Sequence, residues 1–403
     1  MKVGVFGNFF PLSFRAGSAT TGMVTLLART PRISQITVFA PGGSTLPPSL
    51  SPAMVRVLNA WSPDRPFSLA LCLLTMLRAR RDLDLFLFSI YPTAFGRSPG
   101  ANAAGLFLPS FLAKVSRVPV VVFMHNFLET QEVGKLGYRP GVFSRWVVRT
   151  LERWIVGSTT TIVPLRSMKE TVEREVGSGV VVLPIPYVES IYSATISPPS
   201  NDVPGGPTGD AIQVLLFGTW GPQKNLKGAV ETLISLISDG LPLQITIAGE
   251  VNPNFPAYQL WYNELLASLP PDRFRLLHQI PEGAVYPLVA SADALLLPYR
   301  TTGGYSGVMN CAGLAGTPVI AYELPQLREF AEVLGLSAQF VTPGDASGVE
   351  RSLKWAFSRS RARVSGERVP LADKLKGASD AIDRLLDLAG GPARKPKLPK
   401  NSC

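Results

Sequence analysis

The sequence predicts an α/β chain with two domains, each built on a parallel sheet. Strand-like and helix-like segments alternate along most of its length, which is the α/β signature. Several strand segments are continuous runs of apolar residues; 118–124, nearly pure Val and Phe, has the composition of a strand buried on both faces. A stretch rich in Ser, Pro, Gly and Asp at 197–209 lacks any periodicity and divides the chain. The 403 residues suit two domains of ~150–200 residues each.

Taken in order, 2–7 reads as a strand ending in a glycine turn, and 22–28 starts a helix. Strand 35–40, helix 69–80, strand 83–90, helix 103–115 and strand 118–124 follow. Over 143–154, Phe143, Trp146, Val147, Thr150, Leu151 and Trp154 fall on one helix face, so a helix packed on the core by that face is expected. Arg145, Arg149 and Arg153 fall elsewhere and form a solvated basic face; the alternative is a membrane-surface patch. Arg78, Arg80 and Arg81, or Arg359, Arg361 and Arg363, could add to such a surface. Strand 160–164, helix 167–176 capped by Ser167, and strand 179–183 close the first half. Beyond the linker come strand 213–217, helix 226–238, strand 243–248, helix 258–269, strand 274–277 and helix 284–291. Strand 294–298, helix 307–314 and strand 318–321 follow, and 370–388 has helix periodicity. The expected domains are therefore 1–196 and 211–369, joined by a linker at 197–210, with a helix at 370–389 and a flexible basic tail at 390–403. Two Rossmann-like domains place a site in the interdomain cleft, at the carboxyl ends of both sheets.

Composition narrows the function. With 46% hydrophobic and 17% charged residues the chain is not disordered. Cys72, Cys311 and Cys403 lack C-x-x-C spacing, which argues against a disulfide scaffold or structural zinc and for a reducing compartment. The amino terminus lacks the features of a secretory signal. The longest uncharged run, 301–322, holds five glycines, a proline and Asn310, unlike a bilayer helix. The formal net charge is +10; the four cations of the tail, Arg394, Lys395, Lys397 and Lys400, account for part, leaving +6 on the remainder. A basic body attracts anions: nucleotides, nucleic acid or acidic headgroups. No nucleic-acid motif or aromatic interleaving is evident, so nucleic acid is not an expected partner. No carboxylate cluster for Mg²⁺ is evident either.

Three loops could hold phosphate. Gly17 and Ser18 precede the first helix, where small residues and a helix N-terminus favour an anion; an ordinary strand–helix loop explains them equally. Gly218-Thr219-Trp220-Gly221-Pro222-Gln223-Lys224-Asn225 puts a glycine at a strand end and a lysine before the next helix, from which Lys224 could reach a diphosphate. The bland reading is a solvated lysine. Tyr305-Ser306-Gly307-Val308-Met309-Asn310 places Ser306 and Gly307 at a helix N-terminus, as phosphate donors or as an ordinary cap.

The order of these segments carries a resemblance. Gly218…Lys224-Asn225, then Ala248-Gly249-Glu250, then Ser291-Ala292-Asp293-Ala294-Leu295-Leu296-Leu297-Pro298, then Gly316-Thr317-Pro318-Val319-Ile320-Ala321 resembles the donor half of retaining GT-B glycosyltransferases of the family 4 type. The N-terminal half is similar too, in its glycine loop, in His125-Asn126 at a strand end, and in Leu151-Glu152-Arg153-Trp154 before a Thr-rich strand. The resemblance implies a sugar nucleotide held mainly by the C-terminal domain through Gly218, Thr219, Lys224, Asn225, Glu250, Ser306, Gly307, Val308 and Glu329. It implies His125 on the acceptor side, no metal requirement, and a last helix that returns to the N-terminal domain. The acceptor would be a glycan, a lipid-linked saccharide or a small polyol, and the location cytoplasmic, with peripheral contact at an anionic inner membrane face.

Two departures from the family pattern involve three positions. The arginine that usually accompanies the lysine is Thr219 here, and the paired glutamates are replaced by Gly303 and Cys311; Asn310 or Tyr305 could substitute. In the implied mechanism, Lys224 and fixed N–H dipoles stabilise the charge that grows on the departing diphosphate. The departing phosphate then accepts the acceptor's proton on the same face. A lone histidine is usually structural, which is the reading for His278, while His125 is read as a site residue. Two other classes compete. The missing glutamates motivate a non-catalytic GT-B subunit or glycan-binding protein; a sugar-nucleotide epimerase wants more acids and histidines than this chain offers.

Overall fold

The structure is a computed structural model, and the residues described are 1–10, 18–96, 98–127, 141–188, 210–252, 255–278, 280–302, 306–364 and 371–390. The linker at 197–209 and the tail beyond 390 lie outside them. The chain divides into two compact units. Unit 1 holds the described residues within Met1–Gln131, Pro140–Tyr192 and Lys376–Cys403, and unit 2 those within Ser193–Leu375.

Unit 1 is a seven-stranded, all-parallel sheet of order β3-β2-β1-β4-β5-β6-β7. Its strands are β1 (Lys2–Phe6), β2 (Gln35–Pro41), β3 (Val55–Trp61), β4 (Leu85–Ile90), β5 (Val120–Met124), β6 (Thr160–Val163) and β7 (Val181–Val182). Strands β4 and β5 are buried at every residue, as the unbroken apolar runs require. The helices are α1 (Ser18–Ala28), α2 (Pro66–Ala79), α3 (Pro99–Val115), α4 (Val142–Ser158) and α5 (Arg166–Glu175). Helix α1 steps toward β2, whereas α2, α3 and α4 each step the opposite way along the sheet. Right-handed crossovers therefore put these three on the face opposite α1. Phe6 anchors an aromatic core, its ring 5.1 Å from Phe88 and 5.7 Å from Trp61.

Unit 2 is a six-stranded parallel sheet of order β10-β9-β8-β11-β12-β13. Its strands are β8 (Ile212–Phe217), β9 (Leu243–Ala248), β10 (Phe274–Leu277), β11 (Ala294–Leu297), β12 (Val319–Tyr322) and β13 (Ala338–Val341). The helices are α6 (Leu226–Ser238), α7 (Pro256–Ala267), α8 (Glu282–Ala290), α9 (Gly307–Ala315), α10 (Pro325–Leu334) and α11 (Ala346–Val364). A last helix, α12 (Leu371–Gly390), begins in unit 2 and continues from Lys376 in unit 1, where Arg32 bonds Asp387 at 2.7 Å. The core of unit 2 gathers Val214, Leu216, Trp220, Leu233, Ile245, Ile247, Tyr262 and Ile320.

Four expectations are corrected. Strand β3 was not expected: it is an edge strand, exposed at Arg56 and Asn59, so it carries neither an unbroken apolar run nor clean alternation. Elements α10, β13 and α11 were also missing from the reading, although Leu327, Phe330, Ala331 and Leu334 recur on one face and are buried. Ser167 does not cap α5; it lies in the first turn behind Leu165, and no side chain caps that helix. Helix α4 packs by only part of its expected face: Val147, Leu151 and Trp154 are half-buried. Phe143 and Trp146 stand in solvent, and Glu152, Ile155 and Val156 point inward. Arg149 ties the helix to the end of α5, its guanidinium donating to the Glu175 carbonyl and, at 2.7 Å, to the Glu175 carboxylate.

Candidate functional site

In unit 2 the strand order reverses between β8 and β11, and ligands of open parallel sheets bind outside the carboxyl ends of strands at such a reversal. The segments singled out in the sequence converge there. Strand β8 runs into Gly218, β11 into Tyr299, and β9 into Gly249 and Glu250. The Arg300 N–H donates to the Gln223 carbonyl at 2.9 Å, which ties the turn after β8 to the turn after β11. Trp220 N–H donates to the Glu250 carbonyl at 2.8 Å, and the Trp220 indole to the Ala248 carbonyl at 3.1 Å. The loop after β8 is thus nailed to the end of β9.

Two glycines make this closeness possible. Gly249 has φ +105°, and a Cβ there would collide with the Gly218 carbonyl. Gly218 has φ +150°, and a Cβ there would collide with the Lys224 ammonium. Lys224 closes a short 3₁₀ turn over Pro222–Lys224, and Asn225, left-handed at φ 48°, starts α6. The Lys224 Nζ is half-enclosed rather than splayed into solvent: it lies 4.7 Å from the centre of the Tyr299 ring and 5.9 Å from that of Trp220. Two atoms of the same turns, Tyr299 Oη beside the ammonium and Gln223 Oε1 against Gly221, are buried and lack a hydrogen-bond partner among the described residues. An unsatisfied buried polar atom costs about 1–3 kcal/mol, which a ligand contact would recover.

Helix α9 begins at the N-cap Ser306, whose side chain makes no capping bond. Ser306 and Val308 are buried, and Asn310 and Cys311 lie fully inside. Thr219 is half-buried, Glu250 is exposed, and Glu329 is half-buried in α10. Gly17 and Tyr305 lie outside the described residues, and Ser18 opens α1. Two motif positions are structural: Asp293 accepts from Gln213 N–H at 2.9 Å and from the Ser360 hydroxyl, and the Thr317 hydroxyl donates to the Val289 carbonyl at 2.7 Å.

Unit 1 repeats the arrangement at the reversal between β1 and β4. His125 follows β5; its Nε2 pairs with Ser89 Oγ at 2.9 Å, and its ring meets Phe123 edge-on at 4.9 Å. Burial disfavours the imidazolium and pushes the His125 pKa down to about 3, so the ring is neutral at physiological pH. Asn126 Oδ1, next to it, is buried without a partner among the described residues. His278 is exposed, edge-on to Tyr262. No group of three or more His, Cys, Asp or Glu among the described residues could hold a metal ion. An Asp-x-Asp spacing does occur at Asp82 and Asp84, but Asp84 accepts from Lys2 N–H at 2.8 Å at the amino end of the sheet.

The signals for Tyr299 and Gln223 were present as Pro298-Tyr299-Arg300 and as the residue before Lys224. Neither residue type announces a burial that leaves it without a partner, and only the tie between the two turns reveals it.

Residues 211–358, the greater part of unit 2, match the family model described as glycosyl transferases group 1. The fold is that of GT-B glycosyltransferases. Sucrose-phosphate synthase from Thermosynechococcus elongatus superposes with a TM-score of 0.61 at 15% identity, covering 96% of each chain. Anabaena Alr3699/HepE in complex with UDP-glucose gives 0.62 at 13%, covering 95% of this chain and 100% of that one. A structure described as trehalose-6-phosphate from E. coli bound with UDP-2-fluoro glucose gives 0.62 at 12%, covering 98% and 100%. No curated protein sequence matches the chain. Among the described residues no helix is long and apolar enough to cross a membrane.

Proposed function

We propose that the protein transfers a sugar from a nucleoside diphosphate sugar to a hydroxyl acceptor, with retention of anomeric configuration. One observation carries the reading: the Lys224 ammonium is held at the carboxyl ends of β8 and β11 within the segment that matches glycosyl transferases group 1. The bound forms of the Anabaena and E. coli structures make uracil the first base to try.

The diphosphate sits against Gly218 and the N-terminus of α9, where Gly307 and Val308 supply N–H groups and Lys224 a point charge. Within unit 2, Thr219, Asn225, Glu250, Ser306, Asn310 and Glu329 complete donor recognition, and Tyr299 Oη and Gln223 Oε1 join them. The anomeric C–O bond breaks with its electron pair going to the β-phosphate oxygen. The acceptor oxygen forms the new bond on the same face, and its proton passes to that phosphate oxygen. Lys224 and the N–H groups stabilise the leaving charge, so no metal is required. His125, being neutral, serves the acceptor as a hydrogen-bonding group rather than a charged acid. The acceptor is a saccharide, free or lipid-linked, or a small polyol.

Calorimetric titration with UDP tests the reading, with Lys224→Ala as the control. Equal affinity in both proteins would overturn it. The buried Cys311, where the family pattern has a carboxylate, favours a second reading, a glycan-binding protein without turnover. Release of UDP from any UDP-sugar by the purified protein eliminates that alternative.

A further inference from the structure

Helices α2, α3 and α4 of unit 1 present a face that neither sugar transfer nor the sheet uses. Helix α2 buries Leu69, Cys72 and Met76 on its inner stripe, yet Phe67, Leu71 and Leu74 are 83%, 56% and 50% exposed. These three follow one another at i, i+4 and i+7, which makes a second apolar stripe opposite the first. Helix α4 does the same: Phe143 and Trp146 are 75% and 62% exposed, their rings stacked at 6.1 Å. Between them α3 contacts both neighbours and offers the half-buried Phe107, edge-on to Trp154 at 5.0 Å. Exposed apolar residues thus recur on α2 and α4, two helices that flank α3 on one face of the sheet, where single scattered exposures would need no explanation.

Charge decides what covers the patch. The three helices carry Arg78, Lys114, Arg145, Arg149 and Arg153, and their one acid, Glu152, is fully buried. Arg149 is engaged by Glu175, and Lys114 lies 4.5 Å from the centre of the Trp154 ring. All the exposed charge on these helices is therefore positive. A second copy packed through the same patch would set these cations against one another. An anionic bilayer instead satisfies both features, rings and aliphatic chains at headgroup depth and cations against lipid phosphates.

We propose that the α2–α3–α4 face docks on an anionic lipid bilayer. Phe67, Leu71, Leu74, Phe143 and Trp146 enter the interface, while Arg78, and Arg153 beside its donation to the Glu175 carbonyl, pair with phosphates. This inference does not rest on the sugar-transfer reading, and its test involves no nucleotide turnover. The full chain is sedimented with vesicles of one part phosphatidylglycerol to two parts phosphatidylcholine, and with phosphatidylcholine alone. Wild-type protein pellets with the first and not the second. Leu71→Ser/Leu74→Ser and Phe143→Ser/Trp146→Ser each lower the pelleted fraction by about tenfold. Unchanged circular dichroism and an unchanged urea-unfolding midpoint show that the variants are folded. Quenching of Trp146 by brominated lipid, read as the difference from Trp146→Phe, needs no solubilising substitution. Failure of the wild type to pellet, equal pelleting with both vesicles, full pelleting of both double variants, or no quenching difference would overturn the proposal. So would a wild-type dimer in gel filtration that the same substitutions turn into monomers, since the face would then belong to a second copy.

Discussion

The Lys224 ammonium lies over the ring of Tyr299, 4.7 Å from its centre, although the two residues come from turns on different strands. A lysine at a helix start ordinarily trails into water, where holding a phosphate would cost it side-chain freedom. Here the aromatic face and the absent side chain of Gly218 restrict it beforehand. Lys224→Ala is expected to weaken UDP binding by about 10–100-fold, the range of one charge-assisted hydrogen bond. Tyr299→Leu should weaken it less, because the charge stays and only its positioning is lost. Isothermal titration of both variants checks the order; a larger loss in Tyr299→Leu would contradict it.

Gly249→Ala should damage both stability and binding. The new methyl meets the Gly218 carbonyl, and φ +105° is strained for any residue with a Cβ. A loss of about 3 kcal/mol is expected in urea unfolding. Gly240→Ala, at φ +93° with open space around it, has the backbone strain without the collision and should cost about 1 kcal/mol.

His125 makes stability depend on pH. Its folded pKa is depressed to about 3 from 6.5, so between these values the unfolded chain binds the extra proton. The contribution is fully present above pH 6.5 and is lost as the pH falls, by up to about 1.4 kcal/mol per unit. His125→Gln removes the term, so the stability drop between pH 7 and pH 5 should shrink by about 2 kcal/mol relative to wild type. Denaturant titrations at the two pH values read the difference directly.

Asp293 should prove structural. It receives the Gln213 N–H of β8 and the Ser360 hydroxyl of α11, at the amino end of the sheet. Asp293→Ala leaves that N–H buried without an acceptor and is expected to cost about 2–3 kcal/mol. In the protein that remains folded, calorimetry should find UDP affinity unchanged.

The alternation of strands and helices was legible because parallel strands buried on both faces leave unbroken apolar runs, as at β4, β5 and β11. The glycine–lysine spacing after β8 was legible for a similar reason, since few residue types allow such close backbone contact. Strand β3 was not, because an edge strand mixes polar and apolar residues. The packing of α4 was not either. Its apolar stripe packs only toward the carboxyl-terminal end, where Trp154 meets Phe107 of α3, and a contact between two helices is invisible to periodicity within one. Burial at Tyr299 and Gln223 depends on two turns meeting, which spacing along one segment does not record.

The mutual contact of Gly218 and Gly249 has a consequence for how such a protein can diversify. Where only hydrogen fits, the floor of the proposed donor site is bare peptide, and point mutation has almost no vocabulary there. Under the proposed reading, novelty in substrate choice would have to be written in neighbouring side chains, while the grip on phosphate would be inherited unaltered.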